Sequence, residues 1–312
     1  MNAAMPALPT HLEYQNRRVL LKYHRAQTGE RHHPPNALSA IKELSQRGVR
    51  ALEFDVGITL DGVYILLHDA HLERETTGVG PVRLTTHTEI KRLHLRGSHE
   101  QVATLAEAVA VLKETEGPLK IQVDLKETVP LSEEEADWLY QTLKPLFGRN
   151  GVEVVVGCLA DWNLRTLRRV APELEIGFDP AFYLDVPVGE FLRLPVRTNA
   201  YGYLDDHPLG YRRVLPTPRY LADRLEAVSY LVPGAKEFYL RKEFVLKALD
   251  DGFNPIEFLH RLHPGTTVDV WTLDAEEENA REKLLRLLRA GVDQITTNTP
   301  VKLARLFAAA SA

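Results

Sequence analysis

The chain has 312 residues, of which 44% are hydrophobic and 26% are charged, and it carries a formal net charge of -5 at pH 7. Such a chain can bury a full hydrophobic core, and it fits one large α/β domain over residues 1–312 better than two small ones. The net negative charge argues against a general nucleic-acid-binding protein. The single cysteine, Cys158, excludes an intrachain disulfide framework.

The N-terminal residues MNAAMPALPTHLEYQNRR lack the apolar core of a signal peptide. No later apolar run reaches the roughly eighteen residues that are needed to cross a bilayer. We therefore expect a soluble, cytoplasmic protein without integral membrane association. The sequence leaves the oligomeric state open.

Short apolar runs alternate with amphipathic helical segments along the chain, which favours parallel βαβ units over an antiparallel sheet. Eight of these runs have the length and composition of buried parallel strands. Eight such strands suggest a closed (β/α)8 barrel, or TIM barrel. The predicted strands lie at residues 19–23, 51–56, 119–125, 152–158, 175–178, 237–240, 267–272 and 294–297.

Three of the intervening helices show recognisable ends. Asn36 is predicted to cap a helix that stops at Gly48. Ser132 begins a second helix, whose first turn is rich in acids that the helix dipole favours. The run EEENAREKLLRLLRAG behaves likewise and ends at Gly291.

Two stretches do not fit the simple rhythm of a barrel. Residues 70–104 hold several glycine and proline turn signals without a regular helix, and we interpret them as a small insertion at the barrel mouth. Residues 180–235 are rich in proline, tyrosine and arginine, and long irregular segments of this kind are often functional. A lid or substrate wall and ordinary loop packing both remain open for this second stretch.

Reactive side chains lie within or directly after three short apolar runs in the first 70 residues. His24 comes after VLLKY, Glu53 and Asp55 lie in ALEFDV, and His68 comes after YILL. Strand ends are where barrels and open α/β sheets build their sites. Because residues two apart in a strand point to the same face, Glu53 and Asp55 project together and could hold one cation through oxygen ligands. Phe54 then faces the packing layer.

Several short motifs occur in an order and spacing that resemble the glycerophosphodiester phosphodiesterase family. The resemblance covers most of the chain apart from residues 180–235. The motifs are HR at 24–25, ExD at 53–55, DG at 61–62, HD at 68–69, RETTGVG at 74–80, DLK at 124–126, VWTLD at 270–274 and GVDQITTNTP at 291–300.

The resemblance implies a (β/α)8 barrel with a small insertion after the second strand. The implied activity is hydrolysis of small-molecule glycerophosphodiesters to glycerol 3-phosphate and an alcohol. The residues that match the family's functional positions are the catalytic histidines His24 and His68, the metal ligands Glu53, Asp55 and Asp124, the phosphate-contacting Arg25, Lys126 of the ExK strand, and Trp271 of the pocket lining.

The chemistry of these residue types agrees with those roles. A phosphodiester is negatively charged, so one divalent cation with Arg25 and Lys126 nearby would stabilise the added charge of the transition state. The ligands on offer are oxygens, which suit Mg2+ or Ca2+. One imidazole would deprotonate the attacking hydroxyl, thought in the resembled family to be the glycerol 2-hydroxyl, and the other would protonate the leaving alkoxide.

The chain departs from the family pattern at three positions. Ala26 replaces the glycine of HRG, which restricts the backbone there. Pro35 replaces an acidic residue that lies beside the metal site, and Asp124 replaces the glutamate of ExK. The shorter side chain of Asp124 moves its carboxylate back by roughly 1.5 Å, which is about one carbon-carbon bond.

Two alternatives to this function follow from the sequence. One is a lysophospholipase D-type reaction on lysophospholipids, for which an apolar groove is needed beside the site; the stretch Phe178, Phe182, Tyr183 and Leu184 permits such a groove. The other is a degenerate, non-hydrolytic barrel that binds a phosphorylated ligand. Release of glycerol 3-phosphate from glycerophosphocholine distinguishes hydrolysis from binding alone.

Overall fold

Eight parallel strands form the centre of the structure, a computed structural model that describes residues 7–30, 33–149, 151–184 and 216–308. Within these ranges the strands are β1 (His11–Tyr14), β2 (Arg17–Tyr23), β3 (Ala51–Ile58), β4 (Tyr64–Ile65), β5 (Leu119–Leu125), β6 (Val152–Cys158), β7 (Glu175–Phe178), β8 (Glu237–Arg241), β9 (Thr267–Trp271) and β10 (Gln294–Thr297). They pair in the order β2-β10-β9-β8-β7-β6-β5-β3, and a parallel bridge between Tyr23 of β2 and Leu52 of β3 closes the circle. The predicted (β/α)8 barrel is confirmed.

Helices connect the strands and cover the outside of the barrel. In the described residues they are α1 (Leu38–Gln46), α2 (His87–Ile90), α3 (Leu105–Leu112), α4 (Glu133–Leu143), α5 (Asp161–Val170), α6 (Ala181–Leu184), α7 (Thr217–Ser229), α8 (Lys242–Asp250), α9 (Pro255–Leu262), α10 (Ala280–Ala290) and α11 (Pro300–Ala308). No helix in the described part of the chain is both long enough and apolar enough to cross a bilayer.

Three of the four predicted helix ends are correct, including Gly48, which directly follows the C-cap Arg47 of α1 with φ of 71°, and one is wrong. Ser132 caps α4 and forms a capping box with Glu135, and Gly291 ends α10 in the left-handed conformation that glycine tolerates best. Asn36 does not cap α1, because the N-cap residue is Ala37. The Asn36 side chain is buried and bonds instead to Asp55 across the barrel mouth.

A strand that the sequence analysis did not predict, β1, precedes the barrel. It pairs antiparallel with β2, so that Leu12 lies opposite Val19. The two residues between the strands, Gln15 and Asn16, have φ angles of 48° and 64°, which is the geometry that two-residue hairpin turns require. The turn lacks the glycine that normally reveals such a hairpin in a sequence.

The small insertion after the second barrel strand is confirmed as part of this fold. Residues 70–104 contain α2, a single 3-10 turn at Val82–Leu84 and isolated bridges such as His71 to Pro81. One side chain of the insertion, Arg83, contacts two carboxylates next to the barrel. Its Nη1 lies 3.1 Å from Glu127 after β5, and its Nη2 lies 2.6 Å from Glu135 in α4.

The segment 180–235 differs at both flanks from the irregular structure that was predicted for it. Its first residues form α6, and α7 begins directly after Pro216, which is suited to a helix start. Residues 185–215, on which the predicted lid mainly falls, lie outside the described residues. The lid therefore stays a prediction.

Candidate active site

The candidate active site is a cavity of about 440 Å³ that is lined by residues at the carboxyl ends of the barrel strands. This is the face on which barrels of this kind carry their reactive groups. The cavity is lined by seven of the residues predicted from the sequence, namely His24, Arg25, Glu53, His68, Asp124, Lys126 and Trp271. The remaining one, Asp55, is fully buried and contacts Arg25 and Lys126.

Three carboxylates meet at this cavity: Glu53 and Asp124 line it, and Asp55 is buried beside them. Asp55 of β3 lies opposite Asp124 of β5 in the strand register, and Glu53 precedes Asp55 on the same face. One oxygen from each of the three lies within 4.8 Å of the others. Glu53 Oε1 is buried and has no hydrogen-bond partner among the described residues, whereas the buried Asp55 Oδ1 lies 3.0 Å from Lys126 Nζ. Burial, reinforced by the neighbouring carboxylates, raises the pKa of Glu53 well above its ordinary value.

This arrangement fits a hard divalent cation. Neighbouring buried carboxylates repel one another, and a cation between them would remove this repulsion and give Glu53 Oε1 the partner that it lacks. The substitution of Asp124 for the family's glutamate leaves its carboxylate within reach of Glu53 and Asp55. The acidic group could therefore hold a divalent metal.

Two cations neutralise Asp55. Arg25 Nε lies 3.1 Å from Asp55 Oδ2, and Lys126 Nζ lies 3.0 Å from Asp55 Oδ1 and also pairs with Asp124. Although burial opposes it, the charges of Lys126 and Arg25 hold the pKa of Asp55 below its ordinary range. Two fixed positive charges thus lie beside the acidic oxygens of the site, and they keep Asp55 ionised.

The His24 imidazole lies in a short turn directly after β2 and is held by an amide. Its Nδ1 is 2.7 Å from Asn298 Oδ1, while Asn298 Nδ2 donates to Asp274 Oδ2 at 2.7 Å. Because the amide nitrogen of Asn298 is engaged by Asp274, its oxygen must accept from His24 Nδ1–H, which leaves Nε2 unprotonated on the neutral ring. Burial, together with the nearby Arg25 charge, lowers the pKa of His24 to about 4.

The His68 imidazole follows β4 and is held by a carboxylate. Its Nδ1 lies 2.7 Å from Asp69 Oδ1, and Asp69 also pairs with Arg74. Glu75 Oε2 accepts from the backbone N–H groups of His68 and Asp69, at 2.9 and 3.1 Å. His68, Asp69 and Glu75 lie close enough to form a second potential metal site, but their internal hydrogen bonds already engage the acidic groups.

Several residues that shape this site were not predicted from the sequence to belong to it, and one of them, Asn36, was predicted only as a helix cap. Asn36 donates to Asp55 at 2.9 Å and accepts from its backbone N–H at 3.0 Å. Asp69, Asp274 and Asn298 hold the two histidines. Asn298 directly follows β10 within the motif ITTNTP, so the strand-end rule that pointed to His24 also applies to it.

The remaining departures from the family pattern have different structural settings. Ala26 adopts φ of 55°, in the left-handed region where glycine is preferred and alanine costs about 1 kcal/mol. Pro35 is exposed and lines a neighbouring open cavity together with Asp274 and Asn298, rather than the candidate site.

The aromatic stretch that begins at the end of β7 does not form a groove beside the cavity. Phe178, Phe182, Tyr183 and Leu184 all belong to the buried hydrophobic core. Phe182 stacks on Trp162 with 6.2 Å between ring centroids, and the Tyr183 hydroxyl donates to Asp161. None of the four lines the cavity as the described residues define it. The structure therefore gives no support to a lipid-binding groove at this stretch.

Residues 24–179 of the chain match the model of the glycerophosphoryl diester phosphodiesterase family. Over 279 residues the chain is 25% identical to a glycerophosphodiester phosphodiesterase from Caldanaerobacter subterraneus subsp. tengcongensis, a match that covers 88% of this chain and 92% of that protein. A shorter match to human glycerophosphodiester phosphodiesterase 1 is 34% identical over 85 residues, and covers 25% of this chain and 26% of the human protein.

Solved structures share the fold. An Oleispira antarctica phosphodiesterase, solved in complex with the product sn-glycerol-3-phosphate, aligns with a TM-score of 0.62 and 19% identity over 92% of this chain and 96% of that one. A putative glycerophosphodiester phosphodiesterase from Galdieria sulphuraria aligns with a TM-score of 0.66 and 18% identity over 92% and 97% of the two chains.

The barrel, its cavity and these matches define the chain as a phosphoric diester hydrolase. More specifically, the chain belongs to the glycerophosphoryl diester phosphodiesterase family, whose model matches half of its length. The family resemblance that was drawn from the sequence motifs is confirmed.

Proposed function

We propose that the chain hydrolyses glycerophosphodiesters to glycerol 3-phosphate and an alcohol, with His24 and His68 as the proton-transferring groups. Glu53, Asp55 and Asp124 would hold one divalent cation, Mg2+ or Ca2+. The observation that carries this proposal is the convergence on one cavity of two imidazoles, each bonded elsewhere through Nδ1, and three carboxylates.

The charges of the site suit a phosphodiester. When bound, the cation would supply positive charge next to the phosphoryl oxygens. Arg25 and Lys126 are positioned on either side of Asp55 and would contact the phosphate oxygens, where they stabilise the charge that develops during attack. Trp271 lines the same cavity and would pack against the substrate.

The two histidines would divide the proton transfers. His24 is neutral near pH 7 because of its lowered pKa, so its Nε2 can take the proton of the glycerol 2-hydroxyl as that oxygen bonds to phosphorus. His68 would give a proton to the leaving alkoxide as its bond to phosphorus breaks. With their acid and base roles exchanged, the two histidines would then help water open the resulting cyclic phosphate to glycerol 3-phosphate.

The relatives support the substrate class. Curated relatives bear the name glycerophosphodiester phosphodiesterase, and one structural neighbour was solved with sn-glycerol-3-phosphate. A cavity of about 440 Å³ is within the usual range for small-molecule sites. A small glycerol phosphate ester is therefore a suitable ligand.

The proposal is tested by measuring glycerol 3-phosphate release from glycerophosphocholine with Mg2+, with Ca2+ and with EDTA. We expect release with at least one metal, no release with EDTA, and loss of release in Glu53→Gln and Asp55→Asn. Glu257→Gln, in the first turn of α9 and outside the cavity, is the matched control. Binding of glycerophosphocholine without product under every condition would instead identify a non-hydrolytic barrel.

A further inference from the structure

The cavity continues below the proposed catalytic residues to a polar floor. Gln122, Tyr239, Asp269 and Thr296 form this floor. Gln122 and Asp269 lie two residues before Asp124 and Trp271 on their strands, so they face the same way one layer deeper in the barrel. The interior of a TIM barrel is usually filled by branched apolar side chains. Here hydrogen-bonding groups occupy that layer.

Two glycines create the space for this floor. A Cβ atom on Gly177 of β7 would collide with the Tyr239 hydroxyl. A Cβ atom on Gly157 of β6 would lie 2.8 Å from Tyr239 Cε2 and 3.1 Å from Gln122 Nε2. Real Cβ atoms essentially never approach other atoms to less than 3.0 Å. The tyrosine ring therefore lies against the β6 and β7 walls only because both positions lack a side chain.

The floor retains hydrogen-bonding capacity. Trp271 Nε1 is buried and has no hydrogen-bond partner among the described residues, and the buried Tyr239 hydroxyl meets the Glu237 carboxylate only in poor hydrogen-bond geometry. Burial, with the Glu237 carboxylate adding to it, raises the pKa of Tyr239 well above its ordinary value, so the hydroxyl keeps its proton. Buried groups of this kind are costly unless a partner or ligand satisfies them.

The other floor groups are fixed by a buried lysine. Lys22 Nζ donates to Gln122 Oε1 at 2.6 Å and lies 3.0 Å from Asp269 Oδ2. Because Lys22 engages the oxygen of the Gln122 amide, its Nε2 donor faces the space beside Gly157. Asp269 also accepts from Thr296 Oγ1 at 2.8 Å. The floor thus presents oriented donors and an acceptor, the combination that recognises a hydroxyl group.

We propose that the floor formed by Gln122, Tyr239 and Asp269 binds the free primary hydroxyl of the glycerol unit and restricts the enzyme to deacylated substrates. This rests on the proposed function, in which the phosphate on C3 contacts Arg25 and Lys126 and the 2-hydroxyl faces His24. The C1 hydroxymethyl is then the remaining end of the glycerol.

An acyl group on C1 does not suit this floor. It would replace a hydroxyl that satisfies buried polar groups, and it would leave the Gln122 Nε2 donor and the Tyr239 hydroxyl without a ligand partner. The aromatic residues that could have accepted an acyl chain elsewhere are packed in the core. Lysophospholipids are therefore expected to be poor substrates.

The test compares kcat/KM for glycerophosphocholine with that for its 1-deoxy analogue, in which a methyl group replaces the hydroxymethyl group. We expect the wild type to prefer glycerophosphocholine by roughly 10- to 100-fold, which is the effect of leaving one or two buried groups unpaired. Tyr239→Phe and Gln122→Met should each move this ratio toward one. Tyr230→Phe, an exposed tyrosine at the end of α7, is the matched control and should keep the wild-type ratio.

The ratio within one protein does not depend on how much of a variant is folded, so a destabilised variant still gives a decisive result. An unchanged ratio in both Tyr239→Phe and Gln122→Met would overturn the proposal, as would lysophosphatidylcholine turnover equal to that of glycerophosphocholine. Calorimetric binding of glycerol 3-phosphate and of its 1-deoxy analogue gives a second readout. If the wild type hydrolyses neither diester but binds glycerol 3-phosphate more tightly, the proposed function fails and the floor assignment stands.

Discussion

The end of β2 and the start of the insertion each hold a histidine through Nδ1, but they do so by different means. His24 has only 17% of its side chain exposed and is held by the neutral amide of Asn298. His68 has 29% of its side chain exposed and is held by the Asp69 carboxylate. The two rings thus differ in the partner of Nδ1 and in burial although their residue type is the same, and this difference underlies the separate tasks that we propose for them.

The largest effects are expected when either ring is removed. His24→Asn and His68→Asn should each lower kcat for glycerophosphocholine by about 10²- to 10⁴-fold, because each removes one of the two groups that we propose to transfer protons. Circular dichroism should show that both variants fold. Replacement of His260, which pairs with Asp293 in a different part of the barrel, is the control. A rate near the wild-type value in either variant would exclude that ring from the reaction.

The next largest effects are expected when the hydrogen-bond partners of the two imidazole rings, Asn298 and Asp69, are replaced. Asn298→Leu and Asp69→Leu should each lower kcat by about 10- to 100-fold with little change in KM. Each substitution removes the hydrogen bond that fixes one ring, and the ring can then rotate away from the orientation that proton transfer needs. Two-bond nitrogen-proton NMR spectra report which ring nitrogen carries the proton. We expect His24 to change from one tautomer to a mixture in Asn298→Leu.

The same spectra distinguish positioning from simple packing. If Asn298→Leu lowered kcat while the His24 tautomer and orientation stayed as in the wild type, the amide would have a structural role only. Asp69→Leu should leave the His24 spectrum unchanged, which makes each variant the control for the other region.

A smaller effect is expected from loosening the insertion that follows His68. Arg83→Met leaves the largely buried carboxylate of Glu127 without its cation, which costs about 1–3 kcal/mol. Amide hydrogen exchange in residues 70–104 should accelerate, while exchange in β10 beside His24 should not. The exposed Arg92→Met, in the same insertion, is the matched control. Equal acceleration in β10 would show that the two regions are not independent.

Local patterns predicted most of the barrel because its strands are buried apolar runs separated by amphipathic helices. All eight barrel strands occur where they were expected, with ends that coincide or differ by one or two residues. The hairpin strand β1 was missed because its turn, Gln15–Asn16, contains no glycine. Asn36 was misassigned because asparagine is common both before helices and in left-handed turns, and only its contact with Asp55 decides between them.

The residues of the site likewise fall into those that local sequence patterns predict and those that only tertiary contacts bring together. Residues within one motif, such as Glu53 and Asp55, could be placed together from the two-residue period of a strand. The contact of His24 with Asn298 joins positions 274 apart in sequence, and no local pattern specifies it. The polar floor was not predicted either, because Gly157 and Gly177 gain meaning only when Tyr239 lies against them.

The smallest predicted effect concerns His24 and is a pH dependence of the free energy of unfolding of the metal-free protein. NMR titration of the His24 ring should give a midpoint of about pH 4, because burial and the Arg25 charge lower its pKa. In the unfolded chain the same ring takes up a proton near pH 6.5. As pH falls from about 6.5 to about 4, protons therefore favour the unfolded chain, and the free energy of unfolding decreases by at most about 3 kcal/mol. Above that window His24 contributes nothing to the pH dependence.

His24→Gln removes the titrating group and should flatten the stability profile in this window. Chemical denaturation of the wild type and of His24→Gln at several pH values measures the difference. A midpoint near 6.5 for His24 in the folded protein would mean that the ring is solvated and readily charged. The reason for assigning His24 as the base would then disappear.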